Sequence, residues 1–349
     1  MKKYLLLCIL LGLIGCTNKE SETRNSEKIL CDKIMKMDSE FDSIFIKAKE
    51  IEIDLGKDNY IGFIGKAILK NNKIYISGSR PAGIYVLSIE GKIIKKIGNV
   101  GSGPGEYRVI RDFDVDENGN IFLLDTPNGR VSVFSDNGNF INSFPTKYAT
   151  NLCTDNDDGY FLYNSAVEPK SGLNVISHFD KEGKLIKEFC PVFTNVQIIG
   201  GTIVHAPDNN IYVCNVSTYL AKKYSVSGDY LSEFKDASTS FKGLDIKGRL
   251  ATPEELKTIF SLTGMAVTKS NIVILEYSQA EPKGKWNDIY YTDGTLLKRG
   301  IKINNRFRLN VKSDDNKVYY IEEPIIDAVI DEKAAYNYKI LCYSIRGEK

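Results

Sequence analysis

Residues 110–144 read IRDFDVDENGNIFLLDTPNGRVSVFSDNGNFINSF. Short segments rich in β-branched and aromatic residues are separated here by turns containing Gly, Asn and Asp, a pattern typical of successive antiparallel strands. We predict strands A, B, C and D of one unit at 110–115, 121–124, 130–135 and 140–144. Gly138 stands in the tight connection before strand D, where glycine tolerates the positive φ of a hairpin turn.

Two landmarks of this unit recur along the chain at intervals of about 40–60 residues. The first is a β-type run equivalent to strand B, and six such runs start at Ile74, Ile121, Tyr160, Ile211, Ile272 and Val318. The second is a hairpin turn with a central glycine, at Gly91, Gly138, Gly183, Gly228, Gly294 and Gly347. Six repeats in the same order predict an all-β protein, a six-bladed β-propeller of four-stranded antiparallel blades.

The sixth unit lacks its outer strand, because the sequence stops two residues after Gly347. An unpaired sheet edge is prone to association, so another segment must supply the missing strand. Segment 51–55 alternates apolar and polar residues and is predicted to be that strand, which closes the ring. A capping box at Thr252 and Glu255 predicts a short helix between blades four and five. A second helix is predicted within residues 27–49.

The first residues predict export. Lys2 and Lys3 precede an apolar stretch, residues 4–14, which is too short to span a bilayer. The sequence LIGC at 13–16 resembles the bacterial lipobox, which implies cleavage before Cys16 and lipidation of Cys16. The alternative is an ordinary signal peptide with an incidental cysteine. The predicted regions are a signal peptide at 1–15, a lipidated tether at 16–49 and the propeller at 50–349.

The charge balance bears on nucleic-acid binding, and the spacing of the cysteines bears on disulfides and metal sites. Cleavage after residue 15 removes two lysines and leaves 44 basic against 45 acidic residues, so no nucleic-acid partner is predicted. Five further cysteines remain, and they show no CxxC spacing: Cys31, Cys153, Cys190, Cys214 and Cys342. Scattered buried thiols are the favoured interpretation, although an oxidising compartment would permit a disulfide.

The six repeats, the lipobox and the stretch IGNVGSGPGEY at 97–107 resemble the six-bladed β-propeller lipoproteins related to NHL-repeat proteins. The resemblance covers roughly residues 50–349. It implies the propeller fold and a place in the bacterial cell envelope, and it supplies no catalytic residues to carry over.

Three further features of the sequence contain residue types that bind phosphate or metal ions in other proteins. The glycine run at 98–107 lacks the Lys-Ser/Thr of a P-loop and follows a hairpin, which favours a connection between blades one and two. The acids of the segment 112–119 alternate before a glycine, so calcium is an alternative, but a polar channel wall is favoured. His205 falls near an inner strand, within reach of the channel, and His178 is predicted to be exposed. No zinc spacing joins them.

One repeat position is mostly polar: the residue four after each strand-B start is Gly78, Asp125, Asn164, Asn215, Glu276 or Glu322. These positions end strand B, on the face of a propeller that usually holds the site. The predicted ligand face comprises Arg80, Glu106, Arg108, Arg111, Asp125, Arg130, Asn164, Asn215, Tyr219, Glu276, Trp286 and Glu322. A polar and aromatic funnel suits a small molecule, glycan or peptide. The alternative is that these side chains only satisfy loop amides.

The sequence therefore predicts a non-enzymatic, lipid-anchored protein of the cell envelope, at the outer membrane, that binds a ligand or an envelope protein. No cofactor is predicted apart from the calcium alternative. The competing hypothesis is an enzyme, because the resemblance extends to six-bladed lyases and lactone hydrolases that hold a metal in the central channel.

Overall fold

The computed structural model describes residues 41–56, 61–167, 172–192, 200–235, 252–258, 260–280, 283–324 and 337–347. These residues form six antiparallel sheets that follow one another along the chain, as the repeats predicted. The protein is an all-β, six-bladed propeller. In the described residues no helix is both long enough and apolar enough to cross a membrane.

Blades one to five each run in chain order from the inner strand A to the outer strand D. Blade one contains β2 Phe63–Lys70, β3 Lys73–Ser79, β4 Gly83–Ser88 and β5 Ile93–Ile97. A short parallel pair follows, β6 Asn99–Val100 and β7 Glu106–Tyr107. Blade two contains β8 Asp112–Val115, β9 Ile121–Asp125, β10 Arg130–Phe134 and β11 Phe140–Pro145. The four strands predicted for this blade are thus confirmed to within two residues at each end.

The next three blades repeat the arrangement. Blade three contains β12 Asn151–Thr154, β13 Tyr160–Tyr163, β14 Asn174–Phe179 and β15 Leu185–Pro191. Blade four contains β16 Gly201–His205, β17 Asn210–Asn215, β18 Leu220–Ser225 and β19 Tyr230–Lys235. Blade five contains β20 Phe260–Val267, β21 Ile272–Gln279, β22 Gly284–Tyr291 and β23 Leu296–Ile303.

Blade six closes the ring with a strand from the beginning of the chain. It contains β24 Phe307–Arg308, β26 Val318–Glu322, β27 Lys339–Ile345 and β1 Phe45–Glu52. Strand β1 pairs antiparallel with β27, from Phe45 opposite Ile345 to Glu52 opposite Lys339. Closure by an N-terminal strand is as predicted, but the bounds 51–55 were wrong. Residues beyond β1 instead cross to blade one, where Asp54 forms a parallel bridge with Lys92.

The inner edge of blade six is joined to blade one as well. Strand β25, Val311–Ser313, leaves its own blade and pairs parallel with β2, with Ala67 opposite Val311. The first and last blades are therefore hydrogen-bonded at the channel wall, in addition to the closure by β1. This arrangement satisfies part of the inner edge of β2 and carries Lys312 into the channel.

Two predicted helices have different outcomes. Helix α1, Phe41–Ile44, lies inside the predicted range 27–49, but residues 45–49 belong to β1, and residues 27–40 lie outside the described part. Helix α2, Pro253–Thr258, begins where predicted. Its capping box is present, because Glu255 N donates to Thr252 Oγ1 at 3.2 Å and Thr252 N donates to Glu255 Oε2 at 2.9 Å.

The glycine run is a connection between blades one and two, as predicted. Arg130 Nη2 donates to Gly103 O at 2.7 Å and to Glu106 O at 2.8 Å, and Glu106 Oε2 accepts from Gly103 N at 2.7 Å. Tyr107 is fully buried, and its hydroxyl donates to Ile97 O of the preceding outer strand. The run is thus held by its own residues and by blade two.

The core lies between neighbouring blades. In the first gap, Tyr75 and Val86 of blade one pack with Phe113 and Leu123 of blade two. The cysteines of the described residues are buried free thiols in such layers: Cys153, Cys190, Cys214 and Cys342. Burial raises the thiol pKa of Cys190 to about 11 and that of Cys214 to about 12, so both stay protonated at neutral pH.

Candidate functional site

The inner strands surround a cavity of about 200 Å³ in the central channel. Blades one to five each contribute residues of strand A to its walls, and β25, which follows the short inner strand of blade six, completes them. At the end where strands A begin, the lining includes Arg111, Asn151, Thr263 and Asn310. The cavity is concave, polar on one side and large enough for a small molecule, which are the usual features of a ligand site.

Two lysine–aspartate pairs form one wall of this cavity. Lys66 Nζ lies 3.0 Å from Asp112 Oδ1, and Lys312 Nζ lies 2.6 Å from Asp114 Oδ2. Both aspartates also accept backbone bonds from blade three, at 3.0 Å from Leu152 N and at 2.9 Å from Thr154 N. The acids of β8 face the channel, as the alternation in the sequence predicted, and they bridge three blades.

Burial and charge oppose each other at Asp114, whose side chain is completely buried. Burial alone raises the pKa of a carboxyl, but the ammonium groups of Lys312 and Lys66 prevail and lower the pKa of Asp114 to about 2. For Lys312, burial works against the charged form, and Asp114 outweighs it, so the pKa of Lys312 is raised. Both groups are therefore charged at neutral pH.

The opposite wall is aliphatic. It is formed by strands β16 and β20, and most of the residues that line it are aliphatic: Ile203, Val204, Met265, Ala266 and Val267. The same strands add the polar Thr202, His205 and Thr263. The channel thus has a charged half and a mostly aliphatic half.

His205 lies at the other end of the channel, whereas His178 lies in strand β14 of blade three, away from the cavity lining. His205 lines the cavity, with Nδ1 3.0 Å from Thr154 O and Nε2 2.9 Å from Asn209 Oδ1. Burial lowers its pKa, so the neutral form dominates. His178 was predicted to be exposed, and this was wrong: it stacks on Phe161 at 4.0 Å and bonds to Asp155. A second recess of about 320 Å³ shares His205 and Lys312 with the cavity.

The polar residues at the ends of strands B mostly serve their own loops. Asp125 is fully buried and accepts from Arg108 N at 3.0 Å and from Asn128 Nδ2 at 2.6 Å. Asn164 Oδ1 accepts from Ala166 N, and Asn215 Oδ1 accepts from Ser217 N. These contacts match the alternative from sequence, in which such side chains satisfy loop amides.

Other members of the predicted face lie inside the protein. Tyr219 donates to Asp288 between blades four and five, and Trp286 is buried and stacks on Tyr277. Glu276 is buried; burial raises its pKa, and it accepts from Thr263 Oγ1 and Leu309 N, both at 2.9 Å. Glu322 is half-buried and pairs with Arg306. These residues do not converge on a funnel.

The arginines of the predicted face have separate places. Arg80 and Arg108 are exposed, and Arg130, like Glu106, binds the glycine run. Arg111 is exposed and lines the channel cavity, the one member of the predicted set that does so.

Sequence reasoning missed Lys66 and Lys312. Each lies in an inner strand, and the alternating acids of β8 already predicted a charged channel wall. Basic residues at the inner strands of blades one and six were the signal that could have completed that wall.

The described residues do not fit a channel metal. No group of three or more His, Cys, Asp or Glu side chains there is placed to hold an ion. Asp112 and Asp114, the acids nearest such a role, are already bonded to lysines and amides.

The DUF4934 family model, a domain of unknown function, matches residues 36–339. This chain belongs to the DUF4934 family. No curated protein matches it. The DUF4934 family therefore includes a six-bladed propeller, the fold of this chain.

Solved structures share the fold with this DUF4934 protein. A candidate exported protein of Bacteroides fragilis is 16% identical, with a TM-score of 0.69, over 88% of this chain and 97% of its own. A DUF4221 protein of Bacteroides vulgatus is 14% identical, with a TM-score of 0.63, over 86% and 98%. A streptogramin B lyase is 10% identical, with a TM-score of 0.51, over 87% and 100%. At these identities the likeness shows the fold alone.

Proposed function

We propose that this DUF4934 protein is a lipid-anchored propeller of the cell envelope, at the outer membrane, that binds a small ligand in its central channel. The observation that carries the proposal is the cavity of about 200 Å³ between a charged and an aliphatic wall. The chain's likeness to a candidate exported protein supports a place outside the cytoplasm. The lipobox at 13–16 supports the anchor.

The state of the channel acids favours binding over metal chemistry as the proposed function. A catalytic metal needs several free donor groups, whereas Asp112 and Asp114 are each neutralised by a lysine. The same ion pairs order the charged wall before a ligand arrives, which lowers the entropy lost on binding.

The ligand site can be tested by filling the cavity. Val204 is half-buried on the aliphatic wall, and Val204→Phe would occupy part of the space. The full chain would be purified from its own envelope with mild detergent, and small molecules released on denaturation would be measured by mass spectrometry. We expect a molecule that the unaltered protein retains and that Val204→Phe loses.

The matched control is Ile141→Phe, the same kind of enlargement on an exposed residue of outer strand β11. It should retain the molecule, with an unfolding transition equal to that of the unaltered protein. Equal retention by both variants, or retention of nothing but an envelope protein, would contradict the channel as the ligand site.

The anchor gives a separate prediction. Cys16→Ala is expected to move the full chain from the membrane fraction to the soluble fraction, because the acylated residue is lost. Cys8→Ala, a cysteine of the apolar stretch, is the control and should leave the protein in the membrane fraction. Fractionation followed by immunoblotting measures both, and the band size shows whether residues 1–15 have been removed. Membrane retention of a Cys16→Ala chain that lacks residues 1–15 would rule out lipidation at this site.

A further inference from the structure

The two channel walls face each other because of the ring order. In a six-bladed ring, blade one lies opposite blade four and blade two lies opposite blade five. Lys66 of blade one is therefore across the channel from Val204 of blade four, and Asp112 is across from Met265. A ligand in the cavity contacts charged groups on one side and aliphatic groups on the other.

The charged wall has an excess of positive charge. The charges of Lys66 and Lys312 are balanced by Asp112 and Asp114. Arg111, at the entrance, is exposed and has no carboxylate within salt-bridge distance among the residues with described positions. Its guanidinium is free to form a bidentate pair with a ligand carboxylate.

The aliphatic wall offers little to a polar ligand. Val204 and Ala266 are half-buried there, and Ile203, Met265 and Val267 line the cavity with most of their surface buried. Polar groups placed against this wall would lose water without gaining hydrogen bonds, which costs free energy. Apolar groups placed there gain from burial.

We propose that the channel binds a small organic carboxylate with a short apolar body, the carboxylate at Arg111 and the body against Val204 and Met265. This inference rests on the proposed function, since it names the ligand class of the same cavity. The apolar body supplies affinity through buried area, and the carboxylate sets the orientation through Arg111.

Three probes separate these contributions when titrated into the full chain by calorimetry. Hexanoate has both features, acetate has the charge with a much shorter body, and hexan-1-ol has the body without the charge. Each buried CH₂ group contributes about a fourfold change in Kd. Hexanoate has four more CH₂ groups than acetate and should therefore bind about 250-fold more tightly. It should bind about tenfold more tightly than hexan-1-ol because of the charge-assisted hydrogen bonds.

Two arginines give a matched pair of variants. Arg111→Gln should weaken the binding of hexanoate about tenfold and leave the binding of hexan-1-ol unchanged. Arg108→Gln should change neither, because Arg108 is exposed and does not line the cavity. Val204→Thr keeps the shape of the side chain but replaces one methyl group with a hydroxyl, and it should weaken the binding of both hexanoate and hexan-1-ol.

Equal binding of acetate and hexanoate would overturn the proposal, as would an equal effect of Arg108→Gln and Arg111→Gln. If hexanoate fails to bind while Val204→Phe still loses the envelope molecule, the channel remains the site and the ligand class is wrong. If both results are negative, the proposed function fails as well.

Discussion

Gly91→Ala is expected to lower the free energy of unfolding by about 3–6 kcal/mol, the sum of backbone strain and steric overlap. Gly91 has φ +90°, a conformation that alanine adopts only with strain. A Cβ at this position would overlap the carbonyl oxygen of Glu52 and lie 2.9 Å from Ile51 Cγ2. Both neighbours belong to β1, the strand that closes the ring, so the change acts on the closure itself.

Gly347→Ala is the matched control, because Gly347 has φ +89° in the equivalent hairpin turn and no atom within 4 Å of a built Cβ. Gly347→Ala introduces the backbone strain without the steric overlap, and it should lower the free energy of unfolding by about 1–3 kcal/mol. Denaturant unfolding measures both variants, and hydrogen exchange at β1 should rise only in Gly91→Ala. Equal losses in the two variants would show that the closing contact is not tight.

Asp114→Ala is expected to lower the free energy of unfolding by about 3–5 kcal/mol, because it leaves the buried ammonium of Lys312 without its partner. It also removes the acceptor of Thr154 N, which ties blade two to blade three. The comparison is Glu182→Ala. Glu182 pairs with Lys181 at 4.0 Å on the surface, and an exposed pair of this kind contributes about 1 kcal/mol or less.

The pH dependence of stability tests the same pair. The pKa of Asp114 is lowered from 3.8 to about 2 in the folded protein, so its contribution is present above pH 3.8 and is lost as the pH falls through 2. This contribution is about 2 kcal/mol. The free energy of unfolding of the unaltered protein should fall over that range, and that of Asp114→Asn should fall less.

The double variant Asp114→Leu with Lys312→Met keeps the prediction falsifiable if the single variant does not fold. Replacing a buried ion pair with apolar side chains is often neutral or stabilising, so the double variant should be more stable than Asp114→Ala. A double variant as unstable as the single one would mean that the backbone bond from Thr154, and not the ion pair, carries the effect.

The repeat pattern was sufficient to predict the blades. Strand B of each unit and the glycine of each hairpin are local features, because a buried strand needs β-branched and aromatic residues and a tight turn needs a positive φ. The bounds of the closing strand could not be predicted from a local pattern. Apolar and polar residues alternate from Ile46 to Leu55 almost without a break, so the local pattern did not determine which part pairs. The register depends on β27, nearly 300 residues away in the sequence.

In the candidate site, too, the sequence predicted some features and missed others. The acids of β8 were predicted to face the channel, and they do. The polar residues at the ends of strands B were predicted to form a ligand face, but Asp125, Asn164 and Asn215 bond to their own loops. Sequence alone gives the chemical type of these side chains and their place in the repeat, and it does not give the direction in which a loop turns them.

The sequence by itself determined the number of blades and the order of their strands. These follow from periodicity and turn chemistry, which act over a few residues. The tertiary structure decided which charges meet. Lys66, Asp112, Asp114 and Lys312 belong to three blades and span nearly 250 positions, and they are neighbours only because the ring closes and β25 joins β2. Contacts across a closed ring depend on long-range pairing, and no local pattern encodes that pairing.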